Sequence, residues 1–551
     1  MIASLFLFVA GSFAFGLLWH NKPVRAGGER ETEHPEPAVL VSRRNASSRE
    51  PAPGARGPGG LGPSFGRPPA PPAPSDQWRR TAALISIPIF FAVLLLLSGC
   101  AHPPVNAPLP TADSRAGYRF QNTTPRVNSD DLLLILAFSG GGMRAAALSY
   151  GVLEELKKTE VGPPAAQHPL LNDVGLISSV SGGSFTAAYY TLWGDRTFVD
   201  FEPSFLKKPV QTRLLLRMLA PWNLVRLASP TFSRSDLAAE YYDQILFKGA
   251  TFSELESRTG RPFLSVNATD LGSGARFEFT QDEFDLLHSD LSRFSISRAV
   301  AASSAFPVYL TPIVLKNYSA GRSQAVPEWI QALLRDPTSS SRLRYVASQA
   351  SSYLDGRRRF IHLLDGGLSD NLGLRGALDR AIAREHCAPI PSVPWKIPRR
   401  VALIVVDAHT DQDYGWDSKE NSLGLGALLG SVGQVVVSHY SFETIELFRE
   451  VMERLSRERA GAGDSQPPQV TPYVVELHFN QLPGASERSF FNAVPTALQL
   501  PSKTVDHLRL LAARQLAGNA EFRRLISDLK EPPIEAPLPN RQSFSGMRRA
   551  N

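Results

Sequence analysis

Residues 132–144 read LLLILAFSGGGMR, and this stretch decides the fold. Leu132–Phe138 is a run of seven apolar residues, as expected of a strand covered on both faces. Ser139-Gly140-Gly141-Gly142 follows without a spacer, and Arg144–Lys158 then shows helical spacing. A buried strand, a glycine turn and a helix form the first part of a βα unit. Three glycines at such a junction let the backbone approach a ligand closely and aim several N–H groups one way. The helix start adds the positive end of its dipole. The stretch reads as an anion site; the plainer alternative is a Gly-rich turn.

The same pattern recurs outward from it. Val174–Ser179 is a short apolar run followed by helix-like Ser184–Leu192. Phe263–Asn267 and Arg276–Phe279 read as strands, as do Phe360–Leu364 and Val401–Val406, and Asn371–Glu385 reads as a helix. Further on, Leu423–Leu455 is expected to be helical, Tyr473–Phe479 a strand and Lys503–Asp528 a helical pair. Strands alternating with helices predict an α/β fold, a mostly parallel sheet with helices on both faces. No internal repeat is visible.

Two more motifs sit at strand ends. Ser179-Val180-Ser181-Gly182-Gly183 resembles the G-x-S-x-G nucleophile elbow, with Ser179 in place of the first glycine. An elbow strains its serine, so its neighbours must be small, and Ser179, Gly182 and Gly183 are. The N–H of Gly182, next after the serine, is a candidate oxyanion donor. Asp365-Gly366-Gly367 follows Phe360–Leu364, which aims Asp365 at the crevice beyond the strand ends. Alone, D-G-G is weak and reads equally as a turn, and Asp370-Asn371 could start a helix. Gly140-x-Gly142-x-x-Ala145 also fits a dinucleotide-binding turn, but that reading needs a carboxylate after the next strand, and Ser181 stands there instead.

Taken together, G-G-G-x-R, S-x-S-G-G and D-G-G in this order resemble a patatin-like phospholipase domain over roughly residues 130–410. Ala302-Ser303-Ser304-Ala305-Phe306-Pro307 is similar to a segment such enzymes carry between elbow and aspartate. Ser179 for Gly and Ala145 for Gly depart from the pattern without removing a reactive group. The resemblance implies a three-layer α/β/α fold and a Ser–Asp dyad acting on lipid esters, with no metal and no cofactor. Ser181 would be the nucleophile and Asp365 the proton acceptor. Gly140, Gly141, Gly142 and Gly182 would form the oxyanion hole, supported by Gly183, Gly366, Gly367 and Arg144. Arg144 would orient the Gly loop, draw a phosphate, or form a structural ion pair. Free carboxylates titrate near 3.9, so Asp365 needs burial to serve as a base at neutral pH.

Rival readings stay open. His409 follows Val401–Val406 and would complete a Ser-Asp-His triad in the chain order of α/β hydrolases, whereas His362 lies within a strand and reads as core. A catalytically silent envelope lipoprotein, scaffolding through Leu423–Asp528, is a third. Val210–Leu227 mixes Leu, Met and Trp222 with Arg213, Arg217 and Arg226: a lid, a phospholipid-surface segment or an ordinary solvated helix.

Composition bounds the partners. The 551 residues carry a net charge of +6, but residues 1–100 alone hold 10 Lys+Arg against 6 Asp+Glu. The remainder is nearly balanced, so no nucleic-acid-binding domain is expected. Cys100 and Cys387 exclude a disulfide framework and a cysteine-rich zinc site. The expected partner is a membrane phospholipid or other acyl lipid; oligomeric state is not readable.

The leader divides into an apolar segment at 1–27, a Pro/Gly-rich stretch at 28–77 that cannot pack a core, a signal-like anchor at 78–100 and a tether at 101–128. Leu97-Ser98-Gly99-Cys100 resembles a bacterial lipobox after the apolar run Ala82–Leu97, which implies lipidation of Cys100 and an envelope-anchored protein. A transmembrane helix ending in Cys is the alternative. Residues 1–77 read either as a membrane segment with a linker or as upstream sequence outside the natural start. The expected domains continue as 129–410 catalytic, 411–530 an α/β extension packed on it, and 531–551 a disordered tail.

Overall fold

The computed structural model describes residues 101–111, 113–122, 131–307, 309–321, 325–386, 390–391, 398–410, 440–454, 456–457 and 470–530. The expectations for residues 1–100, including Cys100, for most of Leu423–Leu455 and for 531–551 lie outside these residues. Among the described residues no helix is long and apolar enough to cross a membrane.

One eight-stranded sheet organises the fold. Its strands are β1 Leu132–Phe138, β2 Val174–Val180, β3 Phe263–Asp270, β4 Arg276–Glu278, β5 Ile313–Lys316, β6 Phe360–Asp365, β7 Arg400–Val406 and β8 Thr471–Leu477. The spatial order is β8-β7-β1-β2-β3-β6-β5, with β4 paired to β3 off that path. The four pairings from β8 to β3 are parallel, and the three made by β4, β5 and β6 are antiparallel. Burial follows position. All of β3 and residues 134–138 of β1 are buried, as helices over both faces require, while edge strands β5 and β8 alternate.

The helices used below are α1 Gly142–Lys158, α2 Gly182–Trp193, α3 Val210–Leu219, α4 Pro221–Leu227, α5 Arg234–Tyr242, α6 Ile296–Ser303, α7 Arg375–Glu385, α8 Ser502–Gly518 and α9 Ala520–Lys530. The segment Val210–Leu227 is thus two helices, broken before Pro221, whose ring suits a first helical turn. The C-terminal part continues the fold: β8 extends the main sheet, and α8 lies against α1. A side chain at Gly151 of α1 would reach within 2.6 Å of the Arg509 carbonyl, so that contact is backbone to backbone. Arg509 adds ion pairs to Glu154 at 2.8 Å and Glu202 at 2.6 Å.

β6 runs antiparallel in this mostly parallel sheet, yet its carboxyl end still brings Asp365 to the crevice. β6 pairs with only the last three residues of β3, Leu363 opposite Asp270 and Asp365 opposite Ala268. Its carboxyl end therefore stops beside Asn267, which pairs with Val180 at the end of β2. Asp365 arrives next to Ser181 from the opposite chain direction. The same strand corrects the reading of His362 as core: its side chain shares the exposed register with Phe360.

Candidate active site

Ser181 directly follows β2 and caps α2 with φ 49° and ψ −117°. A non-glycine residue there stores strain of about 1–3 kcal/mol, which the surroundings must hold. They do so through the backbone. The Ser181 N–H donates to the Ser303 hydroxyl at 2.9 Å, and that hydroxyl donates to the Asn267 carbonyl at 2.6 Å. Ser303 has one proton to give, so Ser184, whose hydroxyl lies 3.0 Å away, is the donor in that contact. Ser179 also settles without cost to the elbow: its buried hydroxyl donates to the Ser265 carbonyl on β3 at 3.2 Å.

The Ser181 hydroxyl donates to Asp365 Oδ2 at 2.7 Å, and both residues are buried. Asp365 Oδ1 accepts the Gly367 N–H at 2.9 Å, which fixes the carboxylate plane. Burial raises the Asp365 carboxyl to about 6, against the two hydrogen bonds that favour its charged form. Among the described residues no histidine is hydrogen-bonded to Ser181 or Asp365; the His409 N–H turns back to Asp407 Oδ1 at 2.9 Å.

A model of the patatin-like phospholipase family matches residues 136–378. That stretch is a patatin-like phospholipase domain. Among solved structures, human GIVD cytosolic phospholipase A2 aligns at 14% identity with a TM-score of 0.36, over 73% of this chain and 62% of that one. This chain therefore spans less than two thirds of that enzyme. VipD from Legionella pneumophila aligns at 13% identity with a TM-score of 0.22, over 74% of this chain and 72% of that one. No curated protein matches the chain significantly.

The Gly loop of the patatin-like domain packs directly on the elbow. A side chain at Gly182 would fall 2.0 Å from the Gly142 carbonyl oxygen, and one at Gly183 within 2.6 Å of the Phe138 carbonyl. Gly366 is equally confined, 2.4 Å from the Asn267 carbonyl, while Gly367 faces Asp365 and Asn371. Gly142 and Gly182 are the first residues of α1 and α2, where N–H groups lack an intrahelical acceptor, and both dipoles start at the serine. Gly140 differs from its expected role: its N–H donates to the Asn371 carbonyl at 3.0 Å. It shapes the loop and is not a free donor, leaving Gly141, Gly142 and Gly182.

Arg144 is buried, and three acceptors take up its guanidinium. Its Nε donates to the Ala408 carbonyl at 2.7 Å, one terminal nitrogen to the Val494 carbonyl and the other to the Thr496 hydroxyl at 3.1 Å. Burial pulls its pKa down to about 10, and nearby Asp407 opposes the shift. With its fork so engaged, Arg144 holds the loop and does not draw a phosphate. The Met143 N–H meets the Ala497 carbonyl at 2.7 Å, so the segment after residue 493 clamps the Gly loop. Ser303, Asn267 and Ala497 carried no sequence signal for these contacts beyond the small-residue segment around Ser303. Among the described residues no cluster of acidic, His or Cys side chains could hold a metal ion.

Proposed function

We propose that the domain is a serine acyl hydrolase that cleaves lipid esters through Ser181 and Asp365. The single observation that carries this is the 2.7 Å bond from a strained, buried serine to a carboxylate whose pKa burial has lifted. The Ser181 oxygen attacks the acyl carbonyl as Asp365 takes its proton. The N–H groups of Gly141, Gly142 and Gly182 hold the oxyanion; losing one such donor typically costs about 100- to 1000-fold in rate. The proton on Asp365 passes to the departing alcohol, and the acyl group stays on Ser181. Water then attacks the acyl-enzyme, giving up a proton to Asp365, and the fatty acid leaves with Ser181 regenerated.

The family match supports lipid as the substrate class. Membrane anchoring through Cys100, in a bacterial envelope, is supported by Leu97-Ser98-Gly99-Cys100 after an apolar run. Residues 470–530 belong to the working unit on this reading, because Ala497 holds the Gly loop. The test is a fluorophosphonate probe on the full chain, together with mass spectrometry of membrane lipids. Labelling at Ser181, and free fatty acid released by wild type but not by Ser181→Ala, is the expected result. An unlabelled Ser181 in folded protein would remove the assignment.

A further inference from the structure

Helices α3 and α4 turn Leu215, Leu216, Trp222 and Leu224 outward, with Trp222 68% exposed. Large apolar side chains gathered on two short consecutive helices mark a contact surface. A cavity of about 570 Å³ opens beside them, and Leu216, Arg213 and Arg217 line it. Arg196, Lys208 and Lys248 also line it, against the one carboxylate of Asp200. Arg196 is paired with Asp200 at 2.8 Å, and Arg217 lies 4.7 Å over the Tyr241 ring. Lys208 and Arg213 have no side-chain ion pair or hydrogen bond among the described residues, so the cavity holds uncompensated positive charge.

Two π-helical stretches, Thr197–Leu206 and Asp243–Phe247, form much of the wall. Such turns are rare and recur at functional sites. Neither Ser181 nor Asp365 lines this cavity. Tyr189, which lines it, stands on α2 eight residues past the serine, about 12 Å along the helix axis.

A third observation orients the surface. The Ser229 and Thr231 hydroxyls, just beyond α4, donate to the Ala101 carbonyl at 2.8 and 3.0 Å. The chain therefore enters the fold beside the helix that bears Trp222 and Leu224. Only Ser98-Gly99-Cys100 separate Ala101 from the apolar run Ala82–Leu97. On the anchoring proposed above, a bilayer reached through these three residues would adjoin this face.

We propose that the cavity takes the phosphate-bearing headgroup of an anionic phospholipid while α3 and α4 lie in the bilayer surface. The positive lining selects the anion, and the exposed apolar side chains of α3 and α4 select a lipid over a free anion. The site is separate from the proposed chemistry. Binding is read on Ser181→Ala protein, so failure here and failure of the hydrolase reading are distinct results.

The experiment uses the full chain in neutral-detergent micelles titrated with phosphatidylglycerol, phosphatidylcholine or inorganic phosphate, followed by hydrogen exchange at residues 197–219. Phosphatidylglycerol is expected to protect this region more than phosphatidylcholine. Lys208→Gln/Arg213→Gln should raise the half-saturating lipid roughly 30-fold, at about 1 kcal/mol for each cation near an anionic surface. Leu216→Ser/Trp222→Ser should abolish the protection. Equal protection by the two lipids, equal protection by inorganic phosphate alone, or an unchanged titration in either double variant overturns the proposal.

Discussion

The main-chain N–H of Ser181 and the side-chain hydroxyl of Ser303 are joined by a 2.9 Å hydrogen bond across 122 residues of sequence. Ser303 closes α6 and reaches the elbow while its own proton goes to Asn267 on β3. The strained serine is therefore held from a neighbouring element as well as by its own turn, where the Ser184 N–H donates to the Ser181 carbonyl at 3.1 Å. Ser303→Ala leaves the buried Ser181 N–H without a partner, at about 1–3 kcal/mol. Thermal unfolding should show that loss. On the proposed mechanism, turnover of a short soluble ester should fall in kcat with KM little changed, because Ser181 loses its placement while its bond to Asp365 stays. A wild-type melting curve with wild-type kcat would show that the contact does not hold the elbow.

The Asp365 carboxyl gives a pH dependence with a defined sign. Its folded value of about 6 lies above the ordinary 3.8, so ionisation disfavours the folded state. The stability that the protonated carboxyl contributes is fully present below about 3.8 and lost as pH rises through about 6. The difference amounts to about 3 kcal/mol. On the proposed mechanism activity runs the other way, since Asp365 must be ionised to take the proton: kcat/KM should climb with pH to a midpoint near 6. Asp365→Asn should abolish turnover and, at neutral pH, unfold at a higher temperature than wild type. A less stable Asp365→Asn protein would mean that burial does not dominate this carboxylate.

Much of the fold was legible because strand, turn and helix follow one another within a few residues. Leu132–Phe138, Ser139–Gly142 and the following helix announce a βα unit by local sterics alone. The antiparallel β6 was not legible. Its direction depends on where the chain re-enters the sheet after β5, and periodicity carries no sign for direction. Asp365 reads from the sequence as lying at the crevice, and it is there although β6 is antiparallel, because β6 overlaps β3 by only three residues. Ser303, Asn267 and Ala497 enter through hydrogen bonds over long sequence separations, and no spacing rule points to them. Arg144 shows the limit from the other side: G-G-G-x-R marks the loop, but the partners Ala408, Val494 and Thr496 decide what the arginine does.

Those partners predict the phenotype of Arg144. Arg144→Met removes donors to two buried carbonyls and a hydroxyl and should destabilise the protein by roughly 2–5 kcal/mol. Residual activity should keep its ratio between a phospholipid and a neutral ester of the same acyl chain, since the guanidinium is already bonded to Ala408, Val494 and Thr496. Thermal unfolding and the two-substrate ratio check this, and a selective loss against the phospholipid would give Arg144 a substrate contact.

Gly182 separates the cost of strain from the cost of a blocked oxyanion hole. A methyl group there would sit 2.0 Å from the Gly142 carbonyl oxygen, so Gly182→Ala must push the Gly loop away from the elbow. The donors on both sides of that contact then lose their common focus, and turnover should drop by about 100- to 1000-fold. Gly274 supplies the control. It has φ +69°, and a methyl group added there would meet nothing within 4 Å, so Gly274→Ala carries conformational strain alone. That strain is about 1–2 kcal/mol, with turnover unchanged below the melting temperature. Ester turnover at saturating substrate, set beside melting curves of both variants, distinguishes the two effects. If Gly182→Ala keeps wild-type turnover, the backbone contact between Gly142 and Gly182 does not form the oxyanion site.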